Sequence, residues 1–594
     1  DIIFGKSISA SEREDFAKLI YYPERYIKRL KEEQGITDDW RRITIYRLVL
    51  VCELVAAKYT RSRVRKRMPQ EFAYVLDELL NVTDDINKDF YYDAIISSVI
   101  ETGISETFII ALCNLIQTLA IDKLHIIGDI FDRGPRPDII MNELMTFADV
   151  DIQWGNHDIS WMGAAAGNRA LMANVIRISL SYNCFDVLED GYGLNLRALS
   201  VFAQKIYKED GCERFYPHLY DENKYDSVNA KLTAKMHKAI TIIQMKLEGQ
   251  LMLAHPEYKM EARNMLLKVN FQDYTVDING EKYELNDTYF PTINRENPLA
   301  LTEEEEDLMK IIGASFRHSK VLHNHIKFLY NHGSMYKICN GNLLYHGCIP
   351  MTQEGEFMEC TASGKKLKGK ALLDHINSIV YRGYFKDKDI ELENEYTDFM
   401  WYLWCGAESP IYGKDKMAFF ERYFIKDSKT HVETFSPYYQ LNEREDISKK
   451  ILYEFGLDSE QGHIINGHVP VKIKDGESPI KGNGKLFIID GGISKAYQSK
   501  TGIAGYTLIF DSHGLQLASH MPFVQDTGEY TPSISIVEKM DKRINIEDTD
   551  DGKELARQME DIMELIKAYR LGFVKEKGDV SAFDNYDMDY KFNN

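Results

Sequence analysis

Two short apolar runs, each ending in a glycine-led polar motif, constrain this chain more than any other feature. The first, Lys123-Leu124-His125-Ile126-Ile127, runs into Gly128-Asp129-Ile130-Phe131-Asp132-Arg133-Gly134. The second, Asp151-Ile152-Gln153-Trp154, runs into Gly155-Asn156-His157-Asp158. Apolar runs this short, bounded by glycine, read as buried strands. Between them, Ile140, Leu144 and Phe147 share one face of a predicted helix. Strand, helix and strand make one βαβ unit, so the two strands should be parallel and the crossover right-handed. Both motifs then sit just after strand carboxyl ends, where open α/β sheets bind ligands.

The motifs carry the residue types of a metal-assisted phosphoryl site. Asp129, at a strand end, can bridge two cations with its two oxygens. Arg133, four residues on, can grip a phosphate through two parallel hydrogen bonds. Asn156 offers a neutral oxygen to a hard cation. His157 can protonate a leaving alkoxide, and Asp132 is placed to orient it and raise its pKa. One such motif alone is an ordinary strand and turn; two on adjacent strands make coincidence a poor account. A dimetal site also needs imidazoles. His346 in Tyr345-His346-Gly347-Cys348 and His468 in Asn466-Gly467-His468-Val469-Pro470 each follow an apolar run and lie beside a glycine. Two cations a few ångströms apart would hold a hydroxide and neutralise phosphate oxygens during in-line attack.

Elsewhere the pattern is uneven. Residues 1–100 read as helical, with Tyr22-Pro23-Glu24 separating two amphipathic stretches. The run Arg61-Ser62-Arg63-Val64-Arg65-Lys66-Arg67 reads as a solvated helix face, with an anion site or a contact to an acidic neighbour as alternatives. Residues 101–165 would form the first half of an α/β core. An inserted segment, 166–335, is mainly helical: Val228, Leu232, Met236, Ile240, Ile243 and Leu247 keep near-helical spacing. Asn279-Gly280 marks a type I′ hairpin within it. Thr302 and Glu305 resemble a capping box, so the acidic run after Thr302 is a helix N-terminus rather than a metal site. Core strand signals return over 336–364, with His346. A helical, aromatic-rich insertion fills 365–455. The second half of the core follows over 456–525, and a helical region closes the chain over 526–594, where Leu555, Met559, Ile562, Ile566 and Tyr569 make an amphipathic helix and a possible homo-oligomer contact.

Composition narrows the partners. The chain has 594 residues and a net charge of −20, a field that disfavours nucleic acid and anionic membranes. A phosphorylated small molecule remains open, through a local positive site. No apolar run reaches the roughly 18 residues of a membrane span, and no signal peptide is evident. Eight cysteines without a C-x-x-C or a regular framework point to reduced, mostly buried thiols in a cytoplasmic protein.

These motifs, in this order, resemble the calcineurin-like metallophosphatase superfamily. The flanking blocks sharpen the likeness. Ala73-Tyr74-Val75 with Glu78-Leu79-Leu80, Trp401-Tyr402-Leu403-Trp404 and Phe420-Glu421-Arg422-Tyr423-Phe424-Ile425-Lys426 are similar to the class III fructose-1,6-bisphosphatases of bacteria. So are Gly462-His463-Ile464-Ile465-Asn466-Gly467-His468 and Ile489-Asp490-Gly491-Gly492 with Ser494-Lys495-Ala496-Tyr497-Gln498. The resemblance covers nearly the whole chain. It implies an α/β fold with a calcineurin-like core, a β-sandwich flanked by helices, carrying large helical insertions. It implies hydrolysis of the 1-phosphate of fructose 1,6-bisphosphate in gluconeogenesis, with manganese as the cation. By that pattern Asp129 bridges the metals, and Asn156, His346 and His468 complete one metal's shell. His157 is the general acid, oriented by Asp132, and Arg133 holds the phosphate. Lys495 and Arg422, inside these blocks, and Lys414, between two of them, are candidates for the distal phosphate.

One element of the superfamily pattern has no counterpart before Asp129: a D-x-H motif, read D-L-H-G in this family, that holds the other metal. With a first residue that is not methionine, this leads us to expect a further segment upstream, without which the chain would be mononuclear or metal-poor. Asp511-Ser512-His513-Gly514 has similar letters in another place and reads as a hairpin turn. The alternatives are another metallophosphatase, acting on phosphoproteins or dinucleotide polyphosphates, or an inactive chain used for binding. The large insertions disfavour an open peptide groove.

Overall fold

The computed structural model describes residues 8–33, 35–80, 86–147, 149–219, 229–385, 390–522 and 532–574. It is a mixed α/β chain in which helix predominates. It divides into two compact units: Asp1–Tyr336 with Tyr345–Tyr438, and Lys337–Leu344 with Tyr439–Asn594.

The first unit opens with helices. Pro23 starts the helix Pro23–Glu33, directly after Ala10–Tyr21 ends; with no N–H to lose, proline is suited to a first helical position. The helices Asp38–Ala56 and Ser105–Ala120 pack through Leu48, Val49, Cys52, Phe108, Leu112 and Leu119. The basic run forms the short helix Arg61–Arg67, and acidic neighbours take up much of its charge. Arg61 pairs with Asp77 at 2.7 Å, and Arg63 with Asp122 at 3.2 Å and Asp149 at 3.4 Å.

Strand Leu124–Ile126 pairs in parallel with Val150–Gln153, Leu124 opposite Val150, as the βαβ reading requires. Gly333–Ser334 adds a third parallel strand beyond it. The intervening helix, Pro137–Leu144, buries Met141 and Leu144. Ile140 is half exposed and Phe147 lies past the helix end, so the buried face is turned by one position from the expected one.

Beyond the second motif, the helices Asn156–Ala165, Arg169–Ser181 and Ala230–Ala254 pack together. The periodic stretch expected over Val228 to Leu247 is the last of these; Val228 itself lies outside the described residues. Lys238 and Lys246 are fully buried on it and both are paired, Lys238 with Asp287 at 2.7 Å and Lys246 with Glu305 at 2.6 Å. The hairpin Thr275–Ile278/Glu281–Glu284 turns at Asn279 (φ 54°) and Gly280 (φ 84°), the two positive φ angles of a type I′ turn. Thr302 caps Glu303–His318 in a capping box with Glu305.

The second unit holds a five-stranded sheet. Its order is Ile480–Lys481, Leu486–Ile488, Ile464–Asn466, Asn342–Tyr345, Tyr336–Cys339. The central pairings, Ile464 with Leu486 and Ile464 with Leu343, are parallel. An antiparallel meander follows: Gly505–Asp511, Gly514–His520 and Ser533–Lys539. Asp511 to Gly514 is its first turn, with the Asp511 carboxylate accepting from the His513 and Gly514 N–H groups. The third strand falls where helix was expected from residue 526. Ile534 and Ile536 are both exposed on this edge, so no buried face signalled it. The closing helix, Asp550–Arg570, carries Leu555, Met559, Ile562 and Ile566 on exposed surface. Among the described residues no single helix is long and apolar enough to cross a membrane.

Candidate active site

The first motif is a loop of left-handed backbone. Gly128 (φ 80°), Asp129 (φ 55°) and Arg133 (φ 49°) all lie in that region. For Asp129 and Arg133 this costs on the order of 1–3 kcal/mol each and must be held by surrounding contacts. Asp158 supplies much of the hold. Its carboxylate accepts from the N–H of Asp129 at 2.7 Å, of Phe131 at 3.3 Å and of Gly155 at 2.9 Å. Asp129 reciprocates, Oδ1 accepting from the His157 N–H at 3.0 Å. The two motifs are thus tied by their own carboxylates, at the N-terminus of the Asn156–Ala165 helix, where unpaired N–H groups favour anions.

Two glycines make this approach possible. A Cβ on Gly128 would lie 2.3 Å from the Gln153 carbonyl and 2.8 Å from His346 Nδ1. One on Gly155 would lie 2.0 Å from Asp129 Oδ1.

Asp132, Arg133 and His157 lie together. His157 Nε2 lies 3.0 Å from Asp132 Oδ1, and Arg133 Nε 3.3 Å from the same oxygen. Burial opposes charge on His157, but the Asp132 and Asp129 carboxylates outweigh it and raise its pKa. Burial likewise opposes charge on Asp132, and His157 and Arg133 hold its pKa low. Arg133 also lies over the Tyr182 ring, 5.1 Å from its centroid. The Trp404 ring meets His157 edge-on, centroids 4.9 Å apart.

His346 joins Asp129. Its Nδ1 donates to the Ile127 carbonyl at 2.6 Å, which turns Nε2 towards Asp129 Oδ2 at 3.2 Å. Burial works against its charged form, yet Asp129 and the Ile127 carbonyl lift its pKa to about 9. The residues fit a hard or borderline cation. Asn156 Oδ1 is buried with no hydrogen-bond partner, an expensive state for an amide oxygen that a cation would relieve. Asp129, Asp132 and His157 each place a ligand atom within 4.8 Å of the others. A backbone carbonyl fixing the far nitrogen of a histidine is the usual support of a metal-ligating imidazole. His468 lies in the second unit, in left-handed backbone at φ 68° after strand Ile464–Asn466.

The distal-phosphate candidates are placed differently. Lys414 and Arg422 both pair with Glu433, at 2.9 and 3.3 Å. Lys495 opens the short helix Lys495–Thr501 in the second unit. Asp158, Trp404, Tyr182 and Arg177 carry no role that the motifs alone assign. Asp158 is the last residue of the second motif, and Trp404 lies in Trp401-Tyr402-Leu403-Trp404. Nothing local marks Tyr182 or Arg177, which approach through tertiary packing.

Behind the site, His237 anchors Tyr423. Its Nδ1 donates to the Phe215 carbonyl and its Nε2 accepts from the Tyr423 hydroxyl, both at 2.8 Å. Burial holds His237 at about 3, well below its ordinary 6.5. The unfolded chain therefore takes up a proton near pH 6.5 that the folded chain refuses. The stability from this site is complete above pH 6.5 and is lost as the pH falls towards 3. The loss at pH 5 is about 2 kcal/mol. Urea unfolding at pH 7 and pH 5 should show that loss in the wild type and a smaller one in His237→Gln; equal losses would contradict it.

Over residues 1–571 the chain matches a family model described as Firmicute fructose-1,6-bisphosphatase. It is 50% identical over 583 residues to the class 3 fructose-1,6-bisphosphatase of Clostridium acetobutylicum, covering 97% of this chain and 88% of that one. It is 49% identical over 588 residues to that of Clostridium botulinum strain Langeland, covering 98% and 88%. No solved structure matches it. With a family model matched across nearly its whole length and relatives at half identity, this chain belongs to the Firmicute fructose-1,6-bisphosphatase family.

Proposed function

We propose that this chain hydrolyses fructose 1,6-bisphosphate to fructose 6-phosphate and phosphate at the site built on Asp129 and His157, with manganese, in the cytoplasm and in the direction of gluconeogenesis. The observation that carries the reading is the convergence of Asp129, Asp132, Arg133, His157 and His346, each just after a strand, in a chain of this family. We assign the calcineurin-like core to it on the motif pattern.

Asp129, Asn156 and His346 would hold the cation. Asn156 contributes the unpartnered oxygen and His346 the nitrogen aimed by Ile127. The placing of His468 in that set rests on the sequence pattern. A divalent cation bound there supplies neutralisation of phosphate oxygens and an acidified water. The chain supplies the rest. Arg133, fixed by Asp132 and the Tyr182 ring, grips the reacting phosphate and opposes the charge that gathers on its oxygens. His157, kept protonated by Asp132, gives its proton to the C1 oxygen of the departing sugar. Trp404 restricts the imidazole to one orientation.

The test is a panel of fructose 1,6-bisphosphate, a sugar monophosphate, a phosphopeptide and a dinucleotide polyphosphate, assayed with and without manganese. The bisphosphate should be turned over with the highest kcat/KM. Dialysis against a chelator should abolish turnover, and added manganese should restore it. Preference for the phosphopeptide, or full activity after chelation, would overturn the reading.

A further inference from the structure

We propose that Arg177 holds the distal, non-reacting phosphate of the substrate and so selects a sugar bisphosphate over a monophosphate; this rests on the bisphosphatase reading above. Arg177 lies on the helix Arg169–Ser181 and is partly buried. Its Nε donates to Gln244 Oε1 at 2.8 Å, one Nη to Asn174 Oδ1 at 2.8 Å and the other to the Tyr423 hydroxyl at 3.3 Å. Its guanidinium lies over the Phe419 ring, 4.7 Å from the centroid. Each of these partners is neutral.

The other cations nearby are spent. Lys238 and Lys246 are paired as described above, Arg263 meets Glu421 at 2.7 Å, and Lys414 and Arg422 share Glu433. Among the described residues Arg177 has no carboxylate in ion-pair reach. The closest in its network, Glu248, is one side chain removed and is taken by Gln244 Nε2 and Trp401 Nε1. A half-buried guanidinium is costly to leave without a counter-anion. Planar and forked, it is also the side chain best suited to a phosphate.

The position is held as well as charged. Asn174 donates to Ser160 Oγ at 2.8 Å, one turn along from His157. Gln244 is fixed by Asn174 and Glu248, and Tyr423 by His237. These bonds leave the guanidinium little freedom to lose on binding. Arg133 lies over the ring of Tyr182, the residue that follows the Arg177 helix, and Arg177 is tied through Asn174 to Ser160 on the helix of His157. A substrate with a phosphate at each end calls for two such guanidiniums.

The test compares the full chain with Arg177→Met and Arg177→Lys, using fructose 6-phosphate and inorganic phosphate as product inhibitors. In Arg177→Met, KM for fructose 1,6-bisphosphate and Ki for fructose 6-phosphate should both rise by about tenfold to a hundredfold, the worth of a hydrogen-bonded charge. Ki for inorganic phosphate, which reports the reacting end, should stay within threefold, roughly the noise of a spectator change. Arg177→Lys, which restores charge without the fork, should fall between and carries the test if the methionine variant does not fold. An equal rise in both Ki values, or a rise in neither, overturns the assignment of Arg177. Wild-type enzyme that releases no phosphate from fructose 1,6-bisphosphate overturns instead the activity on which it rests.

Discussion

Replacing His157 with asparagine should lower kcat on fructose 1,6-bisphosphate by about a thousandfold, within the span that positioned general acids contribute, and leave KM nearly unchanged. The expected loss follows from the leaving group. A sugar alkoxide is a poor departing anion and must receive a proton as the P–O bond breaks. His157 is the imidazole held for this, its Nε2 3.0 Å from Asp132 Oδ1 and its pKa kept up by Asp132 and Asp129 against its burial. Asparagine keeps the main-chain N–H that ties the helix to Asp129 Oδ1, so the loop should stay in place. The check is a second substrate whose leaving group needs no proton. With p-nitrophenyl phosphate the same variant should lose far less than with the sugar. A loss of equal size on both would mean that His157 binds or positions rather than protonates.

Gly155→Ala should cost more than a hundredfold in kcat/KM, although it removes no chemical group. The added methyl would fall 2.0 Å from Asp129 Oδ1 and 2.6 Å from the Asp129 nitrogen. Neither neighbour can yield freely, since the Asp158 carboxylate holds that nitrogen and the His157 N–H holds that oxygen. The carboxylate would be pushed off the His346 nitrogen it now faces at 3.2 Å. The fold should lose roughly 1–3 kcal/mol, as overpacked sites do. Gly134→Ala is the contrast within the same motif. Its nearest neighbour would be the Asp132 carbonyl, at 3.7 Å, which is ordinary contact. Kinetics, thermal unfolding and manganese titration of the two variants distinguish a displaced carboxylate from a general intolerance of alanine in the loop. Equal behaviour of the two would contradict the steric account.

The site's chemical letters were legible because they are contiguous and follow strands. The pair Leu124–Ile126 and Val150–Gln153 forms in parallel as the two apolar runs dictate, and this alone brings Asp129 to His157. His346 could be suspected from its place after an apolar run, and its contact with Asp129 agrees. What stays hidden in the sequence is support that arrives sideways. Asp158 is spelled out in the motif, but that one carboxylate takes three N–H groups from two loops depends on the left-handed turn at Gly128 and Asp129. Arg177 reads locally as one more polar residue on an amphipathic helix. Only its neutral partners, drawn from Asn174, Gln244 and Tyr423, set it apart. Lys414 and Arg422 show the converse: both stand in or near family-like blocks, and both are answered by Glu433, a residue that no spacing rule connects to them. Strand Ser533–Lys539 escaped notice for a different reason, since an exposed edge carries no alternation between a buried and a solvated face.

The most direct test of the central claim is phosphorus NMR of the full chain incubated with fructose 1,6-bisphosphate and manganese. The account predicts that the 1-phosphate resonance disappears while the 6-phosphate resonance persists as fructose 6-phosphate, with one equivalent of inorganic phosphate released. Persistence of both resonances, or accumulation of fructose 1-phosphate, would contradict it.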